Sequence, residues 1–550
     1  MQAALPSNDH PGHARPRRRT GWRMTSLASG VSVDPAVIDH LIREFDRSDT
    51  PGVAVGIAQH GRPVYRKGVG LASLELPVVL SPTMRMRIGS TTKHFTALAF
   101  CLLCEEGLAT LDDEIGRHLP ELHPGHRVVT VRQLLSHTSG LRDVFDYSMQ
   151  LQGTNLRVTE AEMFAFYQAD EGVNSAPETS WNYSNGGYML VAMAIERLSG
   201  QTLEAVLAER VFGPLGMRET ALRRWDTDFV PNSATLHLRT PGGWLRHHMG
   251  MELGGPGGIC SSIDDMLRWL AHMDDPIVGT KETWRLITTP AVLGNGASTR
   301  YGLGLELGEY RGLGTVSHSG SVISGSSQMI KAPEVGLDII VVANRSDVST
   351  TSLANRIIDA CVPGLDAAPE RSHAPHVTGV FLSDRTGRLL EVSNEAGRSS
   401  LALDATPMPV WQDRGGGLRL PPEMDSGDLE VRPADASGER VVLTQFGETD
   451  AFDRVEPRPS VFPFVEASYR SAGNLFGATI TTLGDAATLI TTGPQGSQAF
   501  HLHPVVPNVW KAMSVVGSAF LSAVLTFDPD ASAFAFTSGR TQGLRFRRRP

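Results

Sequence analysis

The hydrophobic period of the chain changes once, at Cys361, and that change limits the folds open to it. Before this point apolar residues recur at helical spacing between two groups of strand-like runs; after it the helical spacing stops. Pro363-Gly364-Leu365-Asp366-Ala367-Ala368-Pro369 and the polar stretch to Pro375 read as a linker, residues 363–376. Short alternating runs follow at 377–382, 389–392, 400–403 and 441–445, separated by Gly, Asp and Asn, the rhythm of an all-β barrel or sandwich. A second break, Val455-Glu456-Pro457-Arg458-Pro459-Ser460 (linker 456–463), precedes a similar rhythm at 466–469, 478–482, 488–491, 521–527, 533–537 and 544–547. Two small antiparallel β domains of comparable size are expected, at 377–455 and 464–550.

Residues 31–362 form the expected first domain. From Pro35 an amphipathic helix (Val37, Ile38, Leu41, Ile42, Phe45) leads to Pro51-Gly52. A hairpin follows, with Val53 to Ala58 and Val64-Tyr65 around His60-Gly61-Arg62. The middle is mostly helical. Strand patterns return at 315–318, 328–332 and 337–343, the last two joined around Pro333-Glu334-Val335-Gly336, and a helix follows at 353–361. Strands at both ends with helices between predict an α/β domain with one antiparallel sheet closed by the domain's two ends.

Composition narrows the function. The net charge is −9, from 50 Lys+Arg against 59 Asp+Glu, so no basic field draws nucleic acid. Four cysteines in 550 residues make no disulfide framework and read as buried thiols. Residues 1–30, with Arg17-Arg18-Arg19, read as a disordered tail, and no apolar h-region follows the arginines. The longest apolar run, 95–104, is half of the roughly 20 residues that span a bilayer. The expectation is a cytoplasmic protein without membrane contact.

Three short motifs carry chemistry. Ser90 and Lys93 stand as S-x-x-K at the head of a strongly apolar helix, three residues apart and therefore on one face. A serine hydroxyl needs a neighbouring base before it attacks, and burial favours the neutral lysine amine that could serve. The N–H groups at the helix start could hold a developing oxyanion. Taken alone, the pair is as readily an N-cap serine and a solvated lysine. Tyr183 precedes Asn185 by two residues ahead of an apolar helix; the phenol can pass a proton and the amide can grip a carbonyl, or the two can be a packed tyrosine and a helix cap. Third, His318 and Gly320 end a strand as H-x-G, where histidine offers a donor to a cleft and glycine lets substrate approach the backbone. On its own the histidine reads as structural.

In this order and spacing the three motifs resemble those of the serine β-lactamase and penicillin-recognising hydrolase family, in its class C and peptidase S12 branch. The stretches Thr130 to Leu141, Val211 to Met217, Gly257 to Met266 and Tyr301 to Gly304 look like the family too, so the resemblance covers about residues 35–362. With two trailing β domains the architecture is most like the three-domain D-stereospecific aminopeptidases, whose catalytic domain is followed by two β-barrels. The resemblance implies that Ser90 forms an acyl-enzyme and that Lys93 and Tyr183 share the proton work. Asn185 would hold the acyl side, and His318 would keep the site electropositive and orient Tyr183. The backbone N–H groups of Ser90 and Ser321 would form the oxyanion hole. It further implies that a loop of the last barrel enters the site. That loop looks like Thr491 to Gln498, with Gly493, Gln495 and Gly496 against substrate beside Gly320; it carries no carboxylate for an α-ammonium.

The expected activity is removal of N-terminal D-amino acids from small peptides or amides, with a β-lactamase-family esterase, a β-lactamase or a DD-peptidase as alternatives. Outside enzymes, the alternative is a catalytically silent peptide- or glycan-binding protein. No cofactor is expected. His118, His123, His126, His247, His248, His501 and His503 lack H-E-x-x-H spacing, so no metal is expected either. The partner is a small peptide, amide or ester, and a homodimer is compatible with the sequence.

Overall fold

The computed structural model describes residues 30–549 except 155, 171, 369–376, 396–397, 414, 422–428, 459–465, 472, 474, 485 and 516–520. The expected N-terminal tail, Gly30 aside, and much of both expected linkers lie outside these residues.

The chain forms a β-lactamase/transpeptidase-like catalytic domain followed by two antiparallel β units. Six strands make the catalytic sheet: β1 (Val53–Gln59), β2 (Arg62–Val69), β3 (Glu306–Tyr310), β4 (Leu313–Val322), β5 (Gly325–Ala332) and β6 (Leu337–Ala343), in the order β3-β4-β5-β6-β1-β2. The domain's ends close it, because β1 pairs antiparallel with β6 from Val53↔Ala343 to Gln59↔Leu337. Both central strands are apolar apart from Gln59 at the end of β1 and Asp338 in β6, which pairs with Lys331, because both faces are covered. Val53, Val55, Ile57, Ile339 and Val341 face helices α1 (Pro35–Ile42) and α7 (Thr350–Cys361). Ala54, Ala58, Ile340 and Val342 face the helical body. There Gly56 lets helix α6 (Ile263–His272) seat closely, since a Cβ would lie 2.5 Å from Ile263.

The helical body holds α2 (Lys93–Glu105), α3 (Val144–Gln152), α4 (Glu160–Ala169) and α5 (Asn185–Ser199). Side-chain caps start most of them: Asp143 for α3, Thr159 for α4 and Ser184 for α5 each accept an N–H of the first turn.

The first β unit is a nine-stranded sheet whose two edge strands, Thr406–Pro409 and Trp411–Gln412, flank Val410 in the chain, so its edges meet at one residue. It includes the hairpin β7 (Arg440–Gln445) and β8 (Glu448–Val455). The last unit is a closed eight-stranded barrel containing β9 (Ala486–Thr492), β10 (Ser497–Val506), β11 (Ala533–Thr537) and β12 (Leu544–Arg548). Two of its strands, β10 and Val509–Ser514, have no counterpart among the expected runs. Buried Gln498 stands in an inward series with Phe500 and Leu502, and Pro504 adjoins a register shift, so apolar alternation is broken. The barrel's core runs into that of the catalytic domain: Phe476 stacks on Phe166 of α4 at 4.9 Å between centroids and meets Tyr147 of α3 edge-on. Among the described residues no helix is long and apolar enough to cross a membrane.

Candidate active site

Ser90 sits in a short 3-10 turn (Gly89–Thr92) that runs directly into α2, so Lys93, the first α-helical residue, lies one turn below it. The lysine is fully buried, and its Nζ lies 3.1 Å from Ser90 Oγ, 2.8 Å from Asn185 Oδ1 and 2.8 Å from the Pro256 carbonyl oxygen. Burial first, and the Arg540 cation second, hold its pKa well below the ordinary lysine value, with Asp143 pulling the other way. A neutral amine has two N–H groups and one lone pair. The two carbonyl oxygens can only accept, so they take both N–H groups and leave the lone pair to the Ser90 hydroxyl.

Tyr183 lies beside the same pair, its phenol close enough to Ser90 for the serine to lower its pKa. Burial raises its pKa above the usual tyrosine range, while Arg540 and the Ser90 contact pull it down, so the phenol is protonated at neutral pH. Lys93 Nζ lies 4.6 Å from the centre of the Tyr183 ring and Arg540 Cζ lies 4.7 Å from it. His137 and Trp181 pack against the same ring, at 4.3 and 6.0 Å between centroids.

Asn185 begins α5 and is aimed by Asp143. Asp143 is fully buried; its Oδ1 accepts the Gly186 N–H at 3.0 Å and its Oδ2 faces Asn185 Nδ2 at 3.5 Å. Burial raises its pKa, opposed by Arg540, whose guanidinium is 3.5 Å away.

The nucleophile turn and the tip of β4 are locked backbone to backbone. Gly89 has φ +52°, and a Cβ there would lie 2.8 Å from the Ser321 amide nitrogen. Thr91 Oγ1 donates to the His318 carbonyl at 3.2 Å, and Ser327 Oγ donates to the Ile88 carbonyl at 2.7 Å. The backbones of Ser90 and Ser321 are thereby brought together beside the nucleophile.

Three expectations change. Gly320 does not open the backbone to substrate: a Cβ would lie 1.9 Å from the Ile88 carbonyl oxygen, so glycine is needed for the strand to reach the nucleophile turn. His318 is not a cation orienting Tyr183. It is buried, and burial, then Lys93, drive its pKa down to about 3. Its Nδ1 faces the Ser319 carbonyl and therefore carries the proton, leaving Nε2 to accept from the Tyr301 hydroxyl at 2.9 Å.

Third, the hairpin with Gly493, Gln495 and Gly496 docks away from Ser90. The Gln495 N–H donates to Gln152 Oε1 at 2.9 Å, and Gly493 and Gly496 press on Gln152 and Leu156. Gln152 ends α3, whose N-cap is Asp143, so this contact is a helix length from the site, about 13 Å. The barrel element that does reach Tyr183 is the β11–β12 turn carrying Arg540. It is fixed by Ser538 to Asp146 (2.6 Å), by Gln542 N–H to Asn174 Oδ1 (2.8 Å) and by Arg142, which donates to the carbonyls of Gln542 and Gly543 (3.0 Å each). The first β unit reaches the same wall, where Phe446 in the β7–β8 turn packs on Trp181 at 3.6 Å between centroids.

Asp143 and Arg540 were not singled out by sequence, and Tyr301 entered only as the head of the stretch Tyr301 to Gly304, with no role. Asp143 had one available signal, an acidic residue two places past the Thr130–Leu141 stretch and just ahead of a helix. Arg540 had none, since Ser-Gly-Arg-Thr-Gln-Gly reads as an ordinary turn. At the C-terminal end of α3 an apolar cleft is lined by Met149, Gly153, Leu156, Met249, Met251 and Ile323. Among the described residues no group of three or more His, Cys, Asp or Glu is placed to hold a metal ion.

Comparison with known proteins follows the same lines. A family model described as Beta-lactamase matches residues 38–361. The D-aminopeptidase of Brucella canis (strain ATCC 23365 / NCTC 10854 / RM-666) is 28% identical over 357 residues, 63% of this chain and 66% of the relative, so the match spans just under two thirds of that protein's length. The D-aminopeptidase of Gluconobacter oxydans (strain 621H) is 25% identical over 365 residues, 65% of this chain and 68% of its own. Among solved structures, the octameric penicillin-binding protein homologue from Pyrococcus abyssi superposes with a TM-score of 0.56 at 22% identity, covering 84% of this chain and 100% of that one. The D-amino acid amidase from Ochrobactrum anthropi SV3 complexed with D-phenylalanine gives 0.51 at 24% identity, covering 59% and 98%. At these identities the likeness to the solved structures is one of fold.

Proposed function

The chain belongs to the beta-lactamase family, and from that premise we propose a serine hydrolase that acylates Ser90 and acts as a D-stereospecific aminopeptidase or amidase on small substrates. The carrying observation is the Lys93 amine, its N–H groups committed to Asn185 and Pro256 and its lone pair turned to Ser90. Ser90 Oγ attacks the carbonyl carbon while its proton passes to Lys93 Nζ. The carbonyl oxygen, now an oxyanion, is held by the N–H groups of Ser90 and Ser321. Tyr183, protonated at rest, gives its proton to the leaving amine as the carbon–nitrogen bond breaks, and stays a phenolate beside the now charged Lys93 and Arg540. In the second half a water takes the place of the amine: its proton goes to Tyr183, its oxygen attacks the ester, and Ser90 leaves with the proton held by Lys93. Asn185, aimed by Asp143, grips the acyl group. His318 acts in this reading as a neutral brace on Tyr301.

The D-amino acid reading is supported by the two D-aminopeptidase relatives. An esterase is the second reading, favoured by one observation: the barrel residue beside Tyr183 is a cation, which does not attract an α-ammonium. Hydrolysis of D-alanine and L-alanine p-nitroanilides, with Ser90→Ala as control, separates these. Turnover of the D form alone, lost in the variant, supports the aminopeptidase. Cleavage of p-nitrophenyl acetate alone, still needing Ser90, moves the chain to the esterases. Wild-type rates in S90A would overturn both.

A further inference from the structure

Every group that reacts in the scheme above lies in the catalytic domain, yet the Tyr183 ring has a cation beside it that belongs to the last barrel. Arg540 Cζ and Lys93 Nζ lie 4.7 and 4.6 Å from the same ring centre, so the two are no farther apart than the sum of those distances. The guanidinium is 44% exposed but its backbone is not free. The Arg540 carbonyl accepts from Asn174 Nδ2 at 2.9 Å, and the flanking residues are tied to Asp146, Asn174 and Arg142. Arg142 in turn is paired with buried Asp170 at 3.0 Å. A solvent-facing arginine held this way is a fixed charge placed on the site.

We propose that Arg540 is a positioning residue: the fixed cation that keeps Lys93 neutral and makes Tyr183 a readier proton donor, so that the last barrel completes the catalytic centre. This rests on the acyl-enzyme reading of Ser90 and Lys93, and is independent of which acyl donor the enzyme prefers.

The groups facing Lys93 are Tyr183, Tyr188, Asp143, His137, His318 and Arg540; those facing Tyr183 also include Glu306. Burial lowers the proton affinity of both histidines, leaving them neutral at neutral pH. The remaining carboxylate at Lys93, Asp143, works against Arg540 by favouring a charged lysine. Without Arg540 that carboxylate acts unopposed, and the resting lysine moves toward the charged form that cannot accept the serine proton. The same cation favours ionised Tyr183, easing proton release to the leaving group. The sign is the same at both groups. Removing the positive charge raises both proton affinities, so the acid and alkaline limbs of the acylation profile both move to higher pH.

The test is the pH dependence of Ser90 acylation by p-nitrophenyl acetate in the full-length chain, comparing wild type, Arg540→Gln and Arg540→Lys. For a unit charge at this range and an effective dielectric of about 20, the acid limb set by Lys93 moves up by at least about one pH unit in R540Q. R540K leaves both limbs near wild type. A purely structural contribution from Arg540 would lower the plateau without moving the limbs. Unmoved limbs in R540Q would overturn the proposal, as would equal shifts in R540Q and R540K. Should R540Q dock its barrel poorly, R540A with added methylguanidinium replaces it, and restored wild-type limbs support the proposal while failure to restore them overturns it. Ester cleavage that persists in S90A overturns the underlying acyl-enzyme reading instead.

Discussion

Replacing Gly320 by alanine tests the lock between β4 and the nucleophile turn. The new methyl would begin 1.9 Å from the Ile88 carbonyl oxygen and 2.4 Å from Ser327 Oγ. Real Cβ atoms approach no closer than about 3.0 Å, so strand and turn must part by at least about 1 Å. Nothing soft absorbs this, because both neighbours are themselves held: Ser327 Oγ donates to that same carbonyl at 2.7 Å and Thr91 Oγ1 meets Ser327 Oγ at 3.0 Å. Parting the backbones draws the Ser321 N–H away from Ser90. Loss of one oxyanion donor lowers kcat by about 10²–10³, or about 3–4 kcal/mol at the transition state. The overpacking costs about 1–3 kcal/mol of stability. Single-turnover acylation by p-nitrophenyl acetate reads the first effect and thermal unfolding the second. G320A should stay folded and acylate at least about 100-fold more slowly with little change in KM. A folded G320A that acylates at the wild-type rate would refute the oxyanion assignment of Ser321 and the reason given for the glycine.

Three further outcomes can be checked. Asn344→Ala removes a fully buried amide that accepts from the Gly52 N–H at 2.8 Å and donates to the carbonyls of Leu71, Ala72 and Thr235 at 3.0–3.1 Å; it should cost about 3 kcal/mol in urea unfolding. Arg142→Ala strands buried Asp170 and frees two carbonyls of the Arg540 turn; it should cost about 3–5 kcal/mol and expose the 538–543 turn to limited proteolysis. Glu160 shares Arg224 with Glu196, Glu204 and Glu252, and burial raises its pKa from 4.5 to about 7. A carboxyl whose folded pKa is raised stabilises most when protonated. Its contribution, on the order of 3 kcal/mol, is therefore present below pH 4.5 and lost as pH rises through about 7. Stability measured across that window should fall more steeply in wild type than in Glu160→Gln; parallel slopes would remove Glu160 from the account.

What the sequence revealed follows how each residue reaches the centre. Ser90 and Lys93 are one turn apart and Tyr183 and Asn185 two residues apart, so local spacing alone brings each pair together. Asp143, Tyr301 and Arg540 arrive from separate elements, and no short-range pattern encodes such convergence. The direction of His318 was misjudged for a related reason: strand, histidine and glycine were visible, but the burial that keeps the ring neutral is a property of the packed site. The sheet closed by β1 and β6 was legible from two largely apolar runs at opposite ends of one domain. In the last barrel both the 493–498 and the 538–543 turns were visible as turns. That the second of them reaches Tyr183 follows from how the barrel docks, with Phe476 packed on α3 and α4, an inter-domain contact with no local signature.

The β1–β6 pairing also orders events during synthesis. Ser90, Lys93, Tyr183 and Asn185 leave the ribosome well before residues 337–343, and β1 cannot find its central partner until that last strand emerges. Until then β1 exposes an apolar edge toward the missing side of the sheet, the kind of edge that recruits other chains. A nascent chain paused before β6 thus has its catalytic side chains and no scaffold to align them. A chain released early enough would be a substrate for chaperones and proteases before it could ever be a hydrolase.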